Sequence, residues 1–180
     1  MHITGGKFNS RKLISPKGEN VRPTLSKTRS AIFDTLFSIM DFENKTFLDM
    51  FAGSGIMGLE AISRGFKKSY AIEKDKRTYL TIKANYALLN INPNVFCTDS
   101  LKKIKTFDEK FDVIYIDPPY FANLYNETLK LILNSEVLNT DGLIILEYPE
   151  TVNINTTGYE IIKEKKYGDK IILFLKQITI

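Results

Sequence analysis

Tryptophan is absent from this chain, and cysteine and histidine occur once each. A single cysteine excludes an internal disulfide and any thiolate metal cluster. A single histidine excludes a multi-histidine zinc or iron site. His2 lies at the chain end and reads as an exposed bystander rather than a general base. Cys97 closes the apolar stretch Asn94-Val95-Phe96-Cys97, so it reads as a core filler in a buried strand rather than a nucleophile. No apolar run approaches the ~20 residues of a membrane helix. Met1-His2-Ile3-Thr4-Gly5-Gly6-Lys7 lacks the apolar stretch of a signal peptide. The expectation is a soluble, cytoplasmic protein that works without metal or thiol.

What is present fits a globular chain. Its 180 residues are 43% hydrophobic and 26% charged, enough for one core. The net charge of +4 is unevenly spread. Lys7, Arg11, Lys12, Lys17, Arg22, Lys27 and Arg29 face Glu19 alone in the first 30 residues, a net of +6, and the remainder carries −2. A basic arm on a near-neutral body fits contact with a polyanion. Composition alone fits a merely solvated arm equally well.

Within the arm, Gly5-Gly6, Asn9-Ser10 and Pro16-Lys17-Gly18 interrupt short extended pieces, which predicts a small hairpin. Ser26 is a plausible cap for a helix running to about Met40, with Ile32, Phe33, Leu36, Phe37 and Met40 on one face. The pattern changes at residues 41–45. Strands are expected at 46–50, 69–73, 94–98, 111–116 and 142–147, with helices at 55–64, 75–89 and 124–133 between them. Residues 159–166 and 170–178 read as a closing hairpin around Gly168-Asp169. Strand–helix alternation of this kind predicts a parallel sheet covered on both faces, with ligands at the strand C-terminal edge.

The chemically suggestive residues fall at that edge. Asp49-Met50-Phe51-Ala52-Gly53-Ser54-Gly55 follows the first strand, and glycine lets backbone pass close to a ligand. Helix N-terminal amides there favour an anionic group. With Gly58 the loop also matches a dinucleotide fingerprint, so NAD stays open at this point. Glu73, 20 residues beyond Gly53, can accept from ribose hydroxyls, which NAD and S-adenosylmethionine share. Asp99-Ser100 ends the third strand, where a carboxylate can accept from an adenine amino group.

Asp117-Pro118-Pro119-Tyr120 ends the fourth strand and is the most specific signal. Two prolines force a rigid extended exit whose carbonyls lack internal donors. Asp117 and a proline carbonyl can then accept both protons of an exocyclic amine, while Tyr120 offers a face for a base. Such acceptors make a conjugated amine more nucleophilic toward a sulfonium methyl. A proline-stiffened loop without chemistry is the minority reading.

These segments, with Gly58-Leu59-Glu60-Ala61, Ser63-Arg64-Gly65 and Arg22-Pro23-Thr24, resemble the RsmD-type methyltransferases, bacterial enzymes that methylate guanine N2 in 16S rRNA with S-adenosylmethionine. The resemblance runs from Gly5 into the last strands. It implies a class I S-adenosylmethionine-dependent methyltransferase fold, Rossmann-like, with a seven-stranded, mostly parallel α/β sheet whose last strand is antiparallel. It implies a basic arm over residues 1–25 and a methyltransferase domain over 26–180. Asp49, Phe51, Ala52, Gly53, Ser54 and Gly55 would line the cofactor, with Glu73 at the ribose and Asp99 and Ser100 at the adenine end. Asp117, Pro118, Pro119 and Tyr120 would be catalytic, and Lys7, Arg11, Lys12, Arg22, Lys27 and Arg29 would grip RNA. The implied partner is 16S rRNA in the small (30S) ribosomal subunit or its assembly intermediate; a monomer is the default for a chain of this size and pattern. Family members usually carry an acid after the matching arginine, where this chain has Ser30-Ala31. Asp-Pro-Pro-Tyr is shared with adenine methyltransferases, so adenine N6 of DNA or RNA is the alternative target. A non-catalytic or NAD-binding protein is a more distant one.

Overall fold

The central strands β1 (Thr46–Asp49) and β4 (Phe111–Ile116) and the middle of β5 (Leu138–Pro149) are buried at nearly every position. Strands covered on both faces must be. A computed structural model of the chain describes residues 1–16, 26–119 and 124–178. With β2 (Lys68–Glu73), β3 (Asn94–Cys97), β6 (Tyr159–Tyr167) and β7 (Lys170–Gln177), its described strands form one seven-stranded sheet in the order β3-β2-β1-β4-β5-β7-β6. The first five strands are parallel. β7 runs antiparallel between β5 and β6. The expected α/β architecture, including the antiparallel last strand, is therefore present.

Alternate residues of each strand face opposite layers. Phe47, Val113, Tyr115, Ile145 and Phe174 pack with α1 (Ser26–Phe37), α2 (Ile56–Arg64) and α3 (Lys76–Leu88). Leu48, Ile114, Ile116, Ile144 and Leu146 pack with Ile104, beyond α4 (Ser100–Lys103), and with Tyr125, Leu129 and Ile132 of α5 (Leu124–Ser135). The strand order reverses between β1 and β4. There the crossovers diverge, and in open sheets of this kind ligands bind at the strand C-terminal ends beside such a point.

The predicted N-terminal hairpin is reduced to a single antiparallel bridge, His2 with Lys12, around a 3-10 turn at Gly6–Phe8. Ile3 and Leu13 are buried in the main core. Ser63 Oγ donates to the Gly5 carbonyl, and Asn85 exchanges two hydrogen bonds with the backbone of Ile14 at 2.8 and 3.0 Å. Residues 1–16 thus share the core of the body. Cys97 is exposed, contrary to the expectation of a buried core filler, because β3 is an outer strand of the sheet.

Candidate active site

The parallel register sets Asp49 of β1 opposite Ala71 on one side and Tyr115 on the other. The loop after Asp49 therefore runs between the ends of β2 and β4. Met50 donates to the Tyr115 carbonyl at 3.1 Å and Ala52 to the Ile72 carbonyl at 2.9 Å. Gly53 and Gly55 then adopt φ of 50° and 73°, in the left-handed region that side chains avoid. A Cβ at Gly58 would come within 2.7 Å of Tyr86 Oη, so this glycine answers to the close approach of α2 and α3.

Carboxylates crowd around the loop. Glu73 accepts from Gly53 N at 2.9 Å through one oxygen and from Asp75 N at 2.7 Å through the other. Burial raises its proton affinity, and those backbone donors partly offset it. Asp49 is 1% exposed and its Oδ1 has no hydrogen-bond partner among the described residues. Its pKa is well above the usual carboxylate range, first from burial and then from the charge of Asp117, with Glu73 adding less. A buried acceptor without a donor costs ~1–3 kcal/mol and invites a ligand that donates.

Asp117 follows β4 on the same sheet face as Tyr115, beside this loop. Burial and then the charge of Glu147 push its pKa up to about 7, against the opposing pull of Lys170. Pro118 is buried and Pro119 exposed, so the chain leaves the sheet here. Tyr120 lies outside the described residues, as does Arg22. Ser100 is buried, and its hydroxyl donates to the Met50 carbonyl, bracing the loop from beneath. Asp99 caps α4, accepting from the amides of Leu101 and Lys102 at 3.1 and 3.2 Å, with Lys74 at 3.6 Å.

The basic residues separate into two groups. Lys7, Arg11, Lys12 and Lys27 are exposed. Arg29, expected to grip RNA, is 1% exposed and is corrected to a structural role: it donates to Glu60 at 2.9 Å and to the His2 carbonyl at 2.7 Å. Where an acid was expected after Arg29, Ser30 Oγ accepts from Arg64, and Asp34 pairs with Arg64 at 3.1 Å. Lys170, Glu147 and Tyr115 were missed by sequence reasoning although they flank Asp117. Among the described residues no group of three or more His, Cys, Asp or Glu is arranged to hold a metal.

The chain as a whole has counterparts among known proteins. Residues 1–176 match the family model described as conserved hypothetical protein 95. The chain belongs to that family, the RsmD methyltransferases. One family relative, ribosomal RNA small subunit methyltransferase D of Buchnera aphidicola, is 33% identical over 97% of this chain and 92% of its own length. A protein of that name from Haemophilus influenzae is 30% identical over 93% of this chain and 89% of its own. The solved structure of an Escherichia coli protein assigned as a methyltransferase superposes with a TM-score of 0.87 at 25% identity, covering 98% and 97% of the two chains. S-adenosylmethionine is the cofactor that membership of this methyltransferase family implies, and the site fits it: the orphaned Asp49 Oδ1 is suited to an ammonium, and the carboxylates around the loop to a cationic ligand.

Proposed function

We propose that the protein transfers a methyl group from S-adenosylmethionine to the exocyclic N2 of a guanine in 16S rRNA, within the small ribosomal subunit or an intermediate of its assembly. The observation that carries this reading is Asp117-Pro118-Pro119 at the end of β4, next to the glycine loop of β1 at the switch point of the sheet. Two relatives of nearly full coverage, each named small subunit rRNA methyltransferase D, support the RNA substrate.

In this reading Asp49 and the backbone of Phe51, Ala52, Gly53, Ser54 and Gly55 hold the methionine end of the cofactor. Glu73 accepts from the ribose hydroxyls, and Asp99 with Ser100 borders the adenine. When bound, S-adenosylmethionine supplies a sulfonium methyl whose S–C bond breaks, its electron pair staying on sulfur, as the N–C bond forms. Asp117 accepts a hydrogen bond from the guanine amine and the Pro118 carbonyl accepts the other, which concentrates the lone pair on nitrogen. Asp117 then takes the proton that the methylated nitrogen releases, a role for which a carboxylate with pKa near 7 is suited. Tyr120 stacks on the base, and Lys7, Arg11, Lys12, Arg22 and Lys27 meet phosphates.

Incubation with labelled S-adenosylmethionine and unmodified small subunits, followed by mass spectrometry of nucleosides, tests this. N2-methylguanosine is the expected product. N6-methyladenine would keep Asp117 in its role and overturn the target. No transfer to subunits, naked 16S rRNA or DNA would overturn the reaction.

A further inference from the structure

Behind Asp117 lies a charged cluster that the reading above leaves unused. Lys170 opens β7, and the antiparallel register sets it opposite Pro149 of β5, next to the strand position that carries Glu147. Its Nζ donates to Glu147 Oε1 and stands 3.8 Å from Asp117 Oδ2. Glu147 is fully buried, and its other oxygen accepts from Tyr115 Oη at 2.7 Å. The turn before Lys170 is itself pinned, since Glu150 N donates to the Asp169 carbonyl at 2.9 Å. Asp117 and Lys170 are each about one-fifth exposed, with side-chain exposures of 22% and 19%.

A fully buried carboxylate on the strand beside β4 is costly unless paired and hydrogen-bonded. Here both oxygens of Glu147 have donors, and the ammonium that pairs with it leans toward Asp117. The groups facing Asp117 are Asp49 from β1, Tyr115 from its own strand, Glu147 from β5 and Lys170 from β7; Glu73 of β2 acts on Asp49. Lys170 is the cation of this set. Without it every charged group around Asp117 in this set would be a carboxylate.

We propose that Lys170, held by Glu147, whose other oxygen Tyr115 braces, is a positioning residue that fixes the direction and the charge of Asp117. The proposal rests on the reading of Asp117 as acceptor for the substrate amine. Removing the cation makes Asp117 easier to protonate, and removing the Glu147 anion makes it harder. The two substitutions therefore shift its ionisation in opposite directions, which loss of packing at either residue would not do.

Two readouts test this in Lys170→Met, Lys170→Arg and Glu147→Gln. The first is the ¹³C titration of the Asp117 carboxyl, identified by its loss in Asp117→Asn. The second is the pH profile of kcat on unmodified small subunits. Lys170→Met should move both midpoints up by about one pH unit, lower kcat about fivefold at neutral pH and recover it in alkali. Glu147→Gln should move both midpoints down, and Lys170→Arg should leave them in place. Affinity for S-adenosylhomocysteine by calorimetry should stay within ~2-fold in all three, because Lys170 holds a group that faces substrate.

Equal midpoints in all variants, or a loss of kcat uniform across pH, would overturn the proposal. If Lys170→Met fails to fold, Glu147→Gln and Lys170→Arg carry the same test. A titration that moves while the rate profile stays would overturn the acceptor reading and Lys170's part in the reaction with it. Opposed shifts with label in a different nucleoside would sustain Lys170's role and overturn only the guanine target.

Discussion

Glu60 holds Arg29 at 2.9 Å with both side chains sealed from solvent, and this pair fastens α1 to α2. The same carboxylate accepts from Thr4 N at 2.6 Å, Thr4 Oγ1 at 2.8 Å and Arg64 Nε at 3.2 Å. One side chain thereby joins the N-terminal residues to two helices of the body. Arg29 in turn donates to the His2 carbonyl. The Glu60-Ala61 and Ser63-Arg64 positions that carry the family resemblance are the ones that dock the N-terminus.

Glu60→Ala should therefore cost stability, not chemistry. It leaves a buried guanidinium uncompensated, a loss of ~3–5 kcal/mol for such pairs. Thermal unfolding should show a fall in Tm of about 10 °C. The double variant Arg29→Met with Glu60→Met should recover a large part of that fall, because no charge is then stranded. A Glu60→Ala protein of unchanged Tm would remove the pair from the structural role given to it.

Asp117→Asn should stabilise the free protein while stopping turnover. The folded chain binds a proton at Asp117 with pKa about 7, whereas an unfolded carboxyl titrates near its usual value. The ionised group therefore costs stability above about pH 7, and the cost shrinks as pH falls toward 4. Asparagine is neutral at every pH. Its Tm should exceed that of the parent by several degrees at pH 8 and by nothing at pH 4. Affinity for S-adenosylhomocysteine should be retained. A stabilisation independent of pH would show that the raised pKa has another origin.

Asp49→Asn separates the two ends of the site. Its unpartnered, buried Oδ1 is suited to a donor carried by the cofactor. Calorimetry should show cofactor affinity reduced at least tenfold, roughly the loss of one charge-assisted hydrogen bond. Glu73→Ala should also weaken binding, and additionally free the amides of Gly53 and Asp75 that it now receives. Unchanged affinity in Asp49→Asn would leave the orphaned oxygen without a role.

How much of this was legible in the chain varies with the physics of each feature. Strands with β-branched and aromatic residues between helical periods announced the parallel sheet, and glycines and prolines marked the ends where chemistry gathers. The charged cluster behind Asp117 was not legible, although its parity was: Tyr115 on β4, Asp117 just after it and Glu147 on β5 alternate onto one face. What brings Lys170 to them is the insertion of β7 between β5 and β6, which periodicity does not reveal. Arg29 was misread because composition does not distinguish a solvated cation from a buried one; its partner Glu60 lies 31 residues away. Cys97 looked buried because an outer strand can be as apolar in sequence as a central one.

The exposed basic residues do not form one patch, and RNA binding should show it. Lys7 sits in the 3-10 turn held by Ser63, at the end of α2 remote from the glycine loop. α1 runs in the same sense as α2, since Arg29 meets Glu60 and Asp34 meets Arg64, so Lys27 lies toward the catalytic edge. A phosphate contact contributes to the salt dependence of binding wherever it lies, about one unit of slope for each cation. Only a contact near the target base also positions that base. Lys27→Ala should accordingly lower both the salt slope and kcat. Lys7→Ala should lower the slope alone, leaving kcat at saturating RNA within ~2-fold of the parent. Filter binding from 50 to 300 mM salt, roughly the range over which counterion release dominates, measures the first quantity and single-turnover methylation the second. Equal effects of the two substitutions on kcat would mean that the N-terminal turn reaches the same nucleotide as the start of α1.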